Sequence, residues 1–142
     1  MALLINRTNL KKSDGTDLPS TDVLVKFMFQ SQFDGFDQRF LLRYYVSPDF
    51  KNDGYSTINV KYGVEQTDEN DNVSIVYQDL TSDFTKELDQ QIIAEYEALV
   101  DGLFPQGSTS MKTIYTYHLF IKEKLEEILG ADTVTILSLI HI

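Results

Sequence analysis

Residues 23–46 read VLVKFMFQSQFDGFDQRFLLRYYV and contain the strongest structural signal in the chain. Two apolar-rich runs flank an Asp-Gly pair, which is the preferred sequence for a two-residue type I′ turn because both turn residues need positive φ. A turn at Asp34 and Gly35 gives one face of purely apolar pairs: Val23/Val46, Val25/Tyr44, Phe27/Leu42, Phe29/Phe40 and Phe33/Phe36. A shift of one residue would mix the two faces. Turn chemistry and pattern therefore predict the same long hairpin and the same register.

The opposite face of this hairpin is mixed in character. Lys26 is predicted to lie directly opposite Arg43, and like charges in that position are destabilising. One interpretation is that a neighbouring strand supplies carboxylates and covers this face, which also carries Leu24. The other is a binding surface, since exposed apolar and aromatic residues combined with Arg are typical of interfaces. Its candidate residues are Lys26, Met28, Arg39, Leu41, Arg43 and Tyr45.

Shorter alternating runs predict further strands at residues 3–6, 56–64 and 73–79. The run at 56–64 places Ile58, Val60 and Tyr62 on one face, and the run at 73–79 places Val73, Ile75 and Tyr77 on one face. The Asp-Gly pair at residues 14–15 and the polar run at 68–72 are predicted turns.

Helical spacing begins after residue 80. It predicts a helix over residues 83–103, with Thr81 or Ser82 as its N-cap, from the line Phe84, Leu88, Ile92, Tyr96, Leu99 and Leu103. A second helix ends near Gly130, with the line Ile114, Tyr117, His118, Ile121, Leu125 and Ile128. Residues 113–121 are rich in β-branched and aromatic side chains, so a strand is an alternative for that half.

The order of elements, strands first and helices last, predicts the α+β class. We expect a single domain over residues 1–136, with a mostly antiparallel sheet built on the long hairpin. Two C-terminal helices should pack on one face of this sheet, the face that carries Phe27, Phe29, Phe40 and Leu42.

The charge is concentrated in one segment. The chain of 142 residues has a net charge of -10, and residues 65–101 contain eleven carboxylates and one base, Lys86. A field of this sign repels nucleic acid and anionic membranes, and no apolar run is long enough to span a bilayer. We therefore expect a soluble protein, made in the cytoplasm, with neither nucleic-acid nor membrane partners. A solvated face is the plainer explanation of the carboxylates, and a surface for a basic partner is the other.

Catalytic motifs are missing from the sequence, which has no cysteine, no Gly-x-Ser-x-Gly, no His-Glu-x-x-His and no Walker or dinucleotide loop. His118 lies among aromatic and apolar residues, where a histidine is more often a hydrogen-bonded core residue than a base. Asp68, Asn70 and Asn72 match part of a calcium-loop spacing, but Val73 replaces its glycine and a strand follows. We therefore expect no catalytic residue, no cofactor and no metal.

The last six residues, Leu-Ser-Leu-Ile-His-Ile at 137–142, resemble the translation of a transposase adapter used in sequencing libraries, CTG TCT CTT ATA CAC ATC. We predict that they are a non-native tail on a gene read from shotgun, metagenomic DNA, and we leave them out of the fold. A natural apolar C-terminal strand is the alternative.

Three segments suggest a resemblance of layout. They are the Asp-Gly-Thr turn at 14–16, the hairpin end Arg-Tyr-Tyr-Val-Ser-Pro at 43–48 and the helical run Ile-Lys-Glu-Lys-Leu at 121–125. In this order they resemble small virion proteins of tailed phages, of the neck, connector or tail-completion kind. The resemblance includes no family-specific motif, so no functional residue is transferred. It implies a non-enzymatic structural protein of virion assembly that acts through protein–protein contacts.

The first hypothesis is therefore an assembly protein. Its basic hairpin face would meet the acidic segment of another copy, or another virion subunit, and head-to-tail contacts between copies close into rings. The alternative is an acidic binding protein such as a DNA-mimic inhibitor, whose candidate acidic surface is Glu87, Asp89, Glu95, Glu97 and Asp101. An enzyme acting through Tyr, Asp or His118 is the third hypothesis.

Overall fold

The computed structural model describes residues 1–18, 22–31, 38–46, 57–84 and 90–137. In chain order their elements are β1 (Ala2–Asn6), β2 (Leu10–Lys12), β3 (Asp22–Ser31), β4 (Gln38–Tyr45), β5 (Thr57–Ile58), β6 (Val60–Thr67), β7 (Val73–Asp79), α1 (Gln90–Leu103), α2 (Thr109–Leu129) and β8 (Val134–Leu137). The strands form a five-stranded sheet, β5-β4-β3-β1-β8, and a three-stranded sheet, β2-β6-β7. Neighbouring strands pair antiparallel. The α+β class predicted from the sequence is confirmed.

The long hairpin, β3–β4, has the predicted register. Phe27 lies opposite Leu42 and Lys26 lies opposite Arg43. Strand β4 ends at Tyr45, so the pairing stops before the predicted Val23/Val46 pair. The predicted turn, with its Phe33/Phe36 pair, lies outside the described residues.

Helix α2 packs on the apolar face of this hairpin, as predicted. Aromatic rings make the contact, with centroid distances of 4.4 Å for Phe27–His118, 4.9 Å for Phe29–Tyr117 and 5.5 Å for Phe40–Phe120. Such pairs contribute about 0.5–1.5 kcal/mol each beyond the burial of their area. The same hydrophobic cluster extends to Ile93 of α1 and to Val60 of the smaller sheet.

Helix α2 includes residues 113–121, so the helical alternative for this segment is correct. The side chain of Ser108 accepts a hydrogen bond from the backbone N–H of Met111 (3.2 Å), and Gly130 ends the helix with a φ of 110°. Packing overrides the weak helix propensity of β-branched and aromatic residues here, since Thr116 and Phe120 are buried. Ile114, predicted on the apolar line, is 47% exposed instead.

The predicted start of the first helix at residue 83 is wrong, and so is its N-cap at Thr81 or Ser82. Residues 82–84 run alongside the edge of β4: the N–H of Leu42 donates to the carbonyl of Ser82 (2.7 Å), and that of Phe84 donates to the carbonyl of Phe40 (3.1 Å). Phe84 is only 2% exposed in this position. Pairing with an open strand edge and burial of Phe84 therefore outweigh the local helical pattern. Residues 85–89 lie outside the described residues, and α1 is described from Gln90.

The buried side of α1 also differs from the predicted line. Ile93 and Val100 are buried, whereas Leu99 and Leu103 are 53% and 56% exposed. Successive helical residues are about 100° apart, so the helix is turned by roughly one residue from the predicted orientation.

The strand predicted over residues 56–64 is two strands in two sheets. Strand β5 pairs with β4, and β6 pairs with β2 and β7. Only Asn59 separates them. This short connection moves the chain from the larger sheet to the smaller one.

Strand β8 was not predicted. It pairs with β1, and Leu137 lies opposite Ala2. Leu137 is also the first residue of the predicted adapter-derived tail, so the described strand extends one residue into it. Residues 138–142 lie outside the described residues, and the origin of the tail stays a prediction.

Candidate protein-interaction surfaces

The outer face is the side of the β3–β4 hairpin opposite α2, and we define it by the six residues predicted from the sequence. The register places Lys26 opposite Arg43 and Met28 opposite Leu41. Leu24, which alternates onto the same side, is 0% exposed, whereas Met28 is 47% exposed. The outer face is therefore covered at one end and open around Met28. Its residues are Lys26, Met28, Arg39, Leu41, Arg43 and Tyr45.

Two positive charges stand together at the open end of the outer face. The side chains of Lys26 and Arg43 are both exposed, and the Lys26 ammonium lies 6.0 Å from the centre of the Tyr45 ring. Opposed like charges destabilise a strand pair, so negative charge nearby, from this chain or from another, stabilises this arrangement.

An apolar hollow lies between these charges. It is lined by Lys26, Phe27, Met28, Leu41 and Arg43 and has a volume of about 200 Å³. An apolar floor with cationic walls suits a partner that presents an aliphatic side chain next to a carboxylate.

The third base of the outer face has a carboxylate from its own chain. Arg39 lies 3.9 Å from Asp83, which the backbone bridge between Leu41 and Asp83 holds at this edge. The chain itself therefore supplies a carboxylate at Arg39, as the first interpretation of the outer face expects, while Met28 beside the hollow is 47% exposed.

The predicted acidic surface is divided by the geometry of α1. Glu97 and Asp101 are one helical turn apart and flank a hollow against α2, where Asp101 pairs with Lys112 at 3.1 Å. Glu95 is exposed, but residues two apart in a helix do not share a face. Glu87 and Asp89 lie outside the described residues. The described carboxylates of α1 therefore do not form one continuous row.

A second feature, not predicted from the sequence, is the distal part of the β6–β7 hairpin, residues 65–76, which we call the acidic arm. All of these residues are exposed. Their four carboxylates are Glu65, Asp68, Glu69 and Asp71, and they include no base. The charge count and the strand alternation were visible in the sequence, but the projection of the hairpin beyond the core was not.

The tip of the acidic arm is an ordered turn. The Asp68 carboxylate accepts hydrogen bonds from the backbone N–H groups of Asn70 (2.8 Å) and Asn72 (2.9 Å). These two bonds, together with a third from the side-chain amide of Asn72, lower the pKa of Asp68. Asp71 has a φ of 60°, a left-handed conformation that Asp tolerates in turns. Residues considered for a calcium loop thus close a β-turn.

His118 lies in the core of the described structure. It is 7% exposed, and its Nδ1 lies 2.7 Å from the carbonyl oxygen of Ile114. Burial lowers the pKa of its imidazole, so the neutral form predominates near neutral pH. Among the described residues, no group of three His, Asp or Glu side chains is arranged to hold a metal ion.

Comparisons with known proteins identify no relative. No family model, curated protein or solved structure matches the chain. Neither helix of the described residues combines the length and the apolar character that crossing a bilayer requires.

Proposed function

We propose that this chain is a non-enzymatic assembly protein, associated with a phage virion, that acts through protein–protein contacts. The observation that carries the proposal is the outer face. Lys26 and Arg43 are opposed and exposed beside an apolar hollow, and Met28 is 47% exposed. The virion association is supported by the resemblance of layout alone.

The chain itself offers a complementary partner. Its net charge is -10, so a second copy presents acidic surface to the basic outer face of the first. Because the two surfaces differ, the contact is heterologous, and such contacts close into rings when the rotation between copies allows it. Exposed charge pairs are weakened by salt, so the assembly should dissociate as the ionic strength rises.

Light scattering coupled to size exclusion, at low and high salt, tests this proposal. The expected result is a discrete oligomer at low salt that becomes smaller at high salt. Arg43→Glu should convert it to a monomer. Lys12→Glu makes the same charge change on β2 of the smaller sheet and should leave the oligomer intact. A wild-type chain that is monomeric at both salt concentrations contradicts self-assembly through the outer face.

An acidic binding protein of the DNA-mimic kind is the second candidate, and the acidic arm is the observation that favours it. Its four carboxylates lie on exposed backbone away from the core. A protein of this kind should be monomeric or dimeric and should bind a basic protein with strong salt dependence. The same scattering experiment separates the two candidates.

A further inference from the structure

We propose that the acidic arm of one copy docks on the outer face of the next, with Ile75 entering the hollow between Lys26 and Arg43. This inference rests on the proposed function and adds the occupant of the outer face. Four properties of the arm support this docking: its projection, its apolar face, its charge and its size.

The arm contributes nothing to the hydrophobic core. None of residues 65–76 belongs to the core cluster, and among the described strands β7 has β6 as its only neighbour. A two-stranded hairpin is marginally stable in water on its own, and an exposed apolar edge strand favours pairing with another chain. The arm is therefore built as a contact element.

One face of the arm is suited to an apolar hollow. Val73 is 63% exposed and Ile75 is 42% exposed, and side chains two residues apart lie on the same face of a strand. Ser74 alternates onto the opposite face together with Val76, which is 39% exposed. The arm thus has an apolar face that its own fold leaves in solvent.

The charge of the arm selects its partner. Its four carboxylates and absence of bases make two arms repel each other, and they also repel the exposed carboxylates of α1. The hollow of the outer face has the opposite sign, because Lys26 and Arg43 line it. Charge complementarity therefore favours the outer face of a second copy as the occupant.

The hollow has room for Ile75. A cavity of about 150 Å³ holds a benzene molecule, so the hollow of about 200 Å³ has room for the side chain of Ile75. Glu65 lies directly opposite Ile75 in the β6–β7 pair, and opposite residues have Cβ atoms about 4.5–5.5 Å apart. When Ile75 contacts Met28 and Leu41, the Glu65 carboxylate therefore reaches the cationic wall of the hollow.

Disulfide trapping tests the contact. Because the chain has no cysteine, only the introduced cysteines can form a disulfide. We would mix an Ile75→Cys variant with a Met28→Cys variant that carries a mass tag, and follow the mixed disulfide under oxidising conditions. The matched control replaces Ile75→Cys with Ser74→Cys, on the other face of the arm. We expect the disulfide between positions 75 and 28 to form about tenfold faster than the control disulfide between positions 74 and 28. The rate of trapping follows the fraction of time that the two positions are in contact.

A charge exchange provides the second measurement. Glu65→Lys and Arg43→Glu should each reduce assembly, and the two changes combined in one chain should restore it, because the pair is re-formed with its signs reversed. Both substitutions are on exposed positions, so folding is retained, and circular dichroism checks this for each variant.

The outcomes separate this inference from the proposed function. If a salt-sensitive oligomer forms but the Ile75/Met28 pair reacts no faster than the control, the docking of the arm is overturned and assembly through another surface stands. Failure of the charge exchange to restore assembly overturns the contact between Glu65 and the cationic wall. If the wild-type chain is monomeric at both salt concentrations, both proposals fall.

Discussion

The two hairpins β3–β4 and β6–β7 have the same alternating sequence pattern and very different surroundings. In β3–β4, Val25 and Phe40 are 0% exposed, whereas Val73 in β6–β7 is 63% exposed. The β3–β4 pair lies between β1 and β5, and α2 covers one of its faces, while the distal half of β6–β7 projects beyond the core.

This difference separates two properties that a sequence pattern tends to combine. Alternation of apolar and polar residues predicts that a segment is a strand. Whether the apolar side is buried depends on the elements that pack against it, and these come from elsewhere in the chain. Apolar residues on a strand without such a neighbour are available for contact with another molecule.

The largest effect should come from the buried hairpin. Phe40→Ala removes a ring that contacts Phe27, Phe29 and Phe120, so we expect the free energy of unfolding to fall by about 3–5 kcal/mol. Urea unfolding followed by circular dichroism measures this. A loss below about 1 kcal/mol would mean that the core does not depend on this face, and the comparison of the two hairpins would fail.

Helix α1 also combines buried and exposed apolar side chains within one element. Ile93→Ala should reduce the free energy of unfolding by about 2–4 kcal/mol, because Ile93 is 5% exposed and part of the core cluster. Leu99→Ala, at a position that is 53% exposed, should cost less than about 1 kcal/mol. A larger loss for Leu99→Ala than for Ile93→Ala would instead support the helix orientation predicted from the sequence.

Much of the fold could be predicted where the signal is local. The β3–β4 register followed from turn chemistry and alternation within one segment, and it placed Lys26 opposite Arg43 correctly. The path of residues 80–84 could not be predicted, because Phe84 fits a helical line as well as it fits the edge of β4. Strand β8 is only four residues long. Its place beside β1 depends on pairing with residues at the other end of the chain.

The candidate surfaces also contain parts that could be predicted from the sequence and parts that could not. The outer-face residues were predictable because strand register fixes which side chains share a face. The Arg39–Asp83 pair was not, because it depends on the extended path of residues 80–84. The acidic arm was counted as charge but not identified as a projection, since the exposure of Val73 depends on which elements of the described structure pack against it rather than on the local pattern.

A pH-dependent effect should come from His118, in the core beneath the long hairpin. Burial lowers the pKa of its imidazole, and the positively charged N-terminus acts in the same direction, against a hydrogen bond to the Ile114 carbonyl. The unfolded chain therefore binds a proton more readily, so the stability from neutral His118 is present above about pH 6.5 and is lost as the pH falls through the folded-state pKa.

Urea unfolding of the wild type and of His118→Gln between about pH 5 and pH 8 measures this effect, since an unperturbed histidine has a pKa of about 6.5. The carboxylates are common to both proteins, so the difference between them isolates His118. We expect the wild type to lose its advantage over the variant as the pH falls. Parallel pH profiles would contradict a neutral, buried His118.

A smaller effect should come from the hydroxyl that ties β4 to the segment before α1. The Tyr44 hydroxyl donates a hydrogen bond to the carbonyl of Thr81, and burial raises its pKa. Tyr44→Phe keeps the ring and removes the donor, so we expect a loss of about 0.5–1.5 kcal/mol. Urea unfolding measures the loss, and an unchanged midpoint would mean that water replaces this bond without cost.

The smallest effect on stability should come from the acidic arm. Val73→Ala shortens a side chain that is 63% exposed and lies outside the core cluster, so the unfolding free energy of the dilute monomer should change by less than about 0.5 kcal/mol. If the arm docks on a second copy, the same change should weaken assembly at concentrations where the oligomer forms. A residue that matters for assembly and not for folding is what a contact element requires. A loss above about 1 kcal/mol in the monomer would instead show that the arm belongs to the folding unit, and the contrast between the two hairpins would then be one of degree.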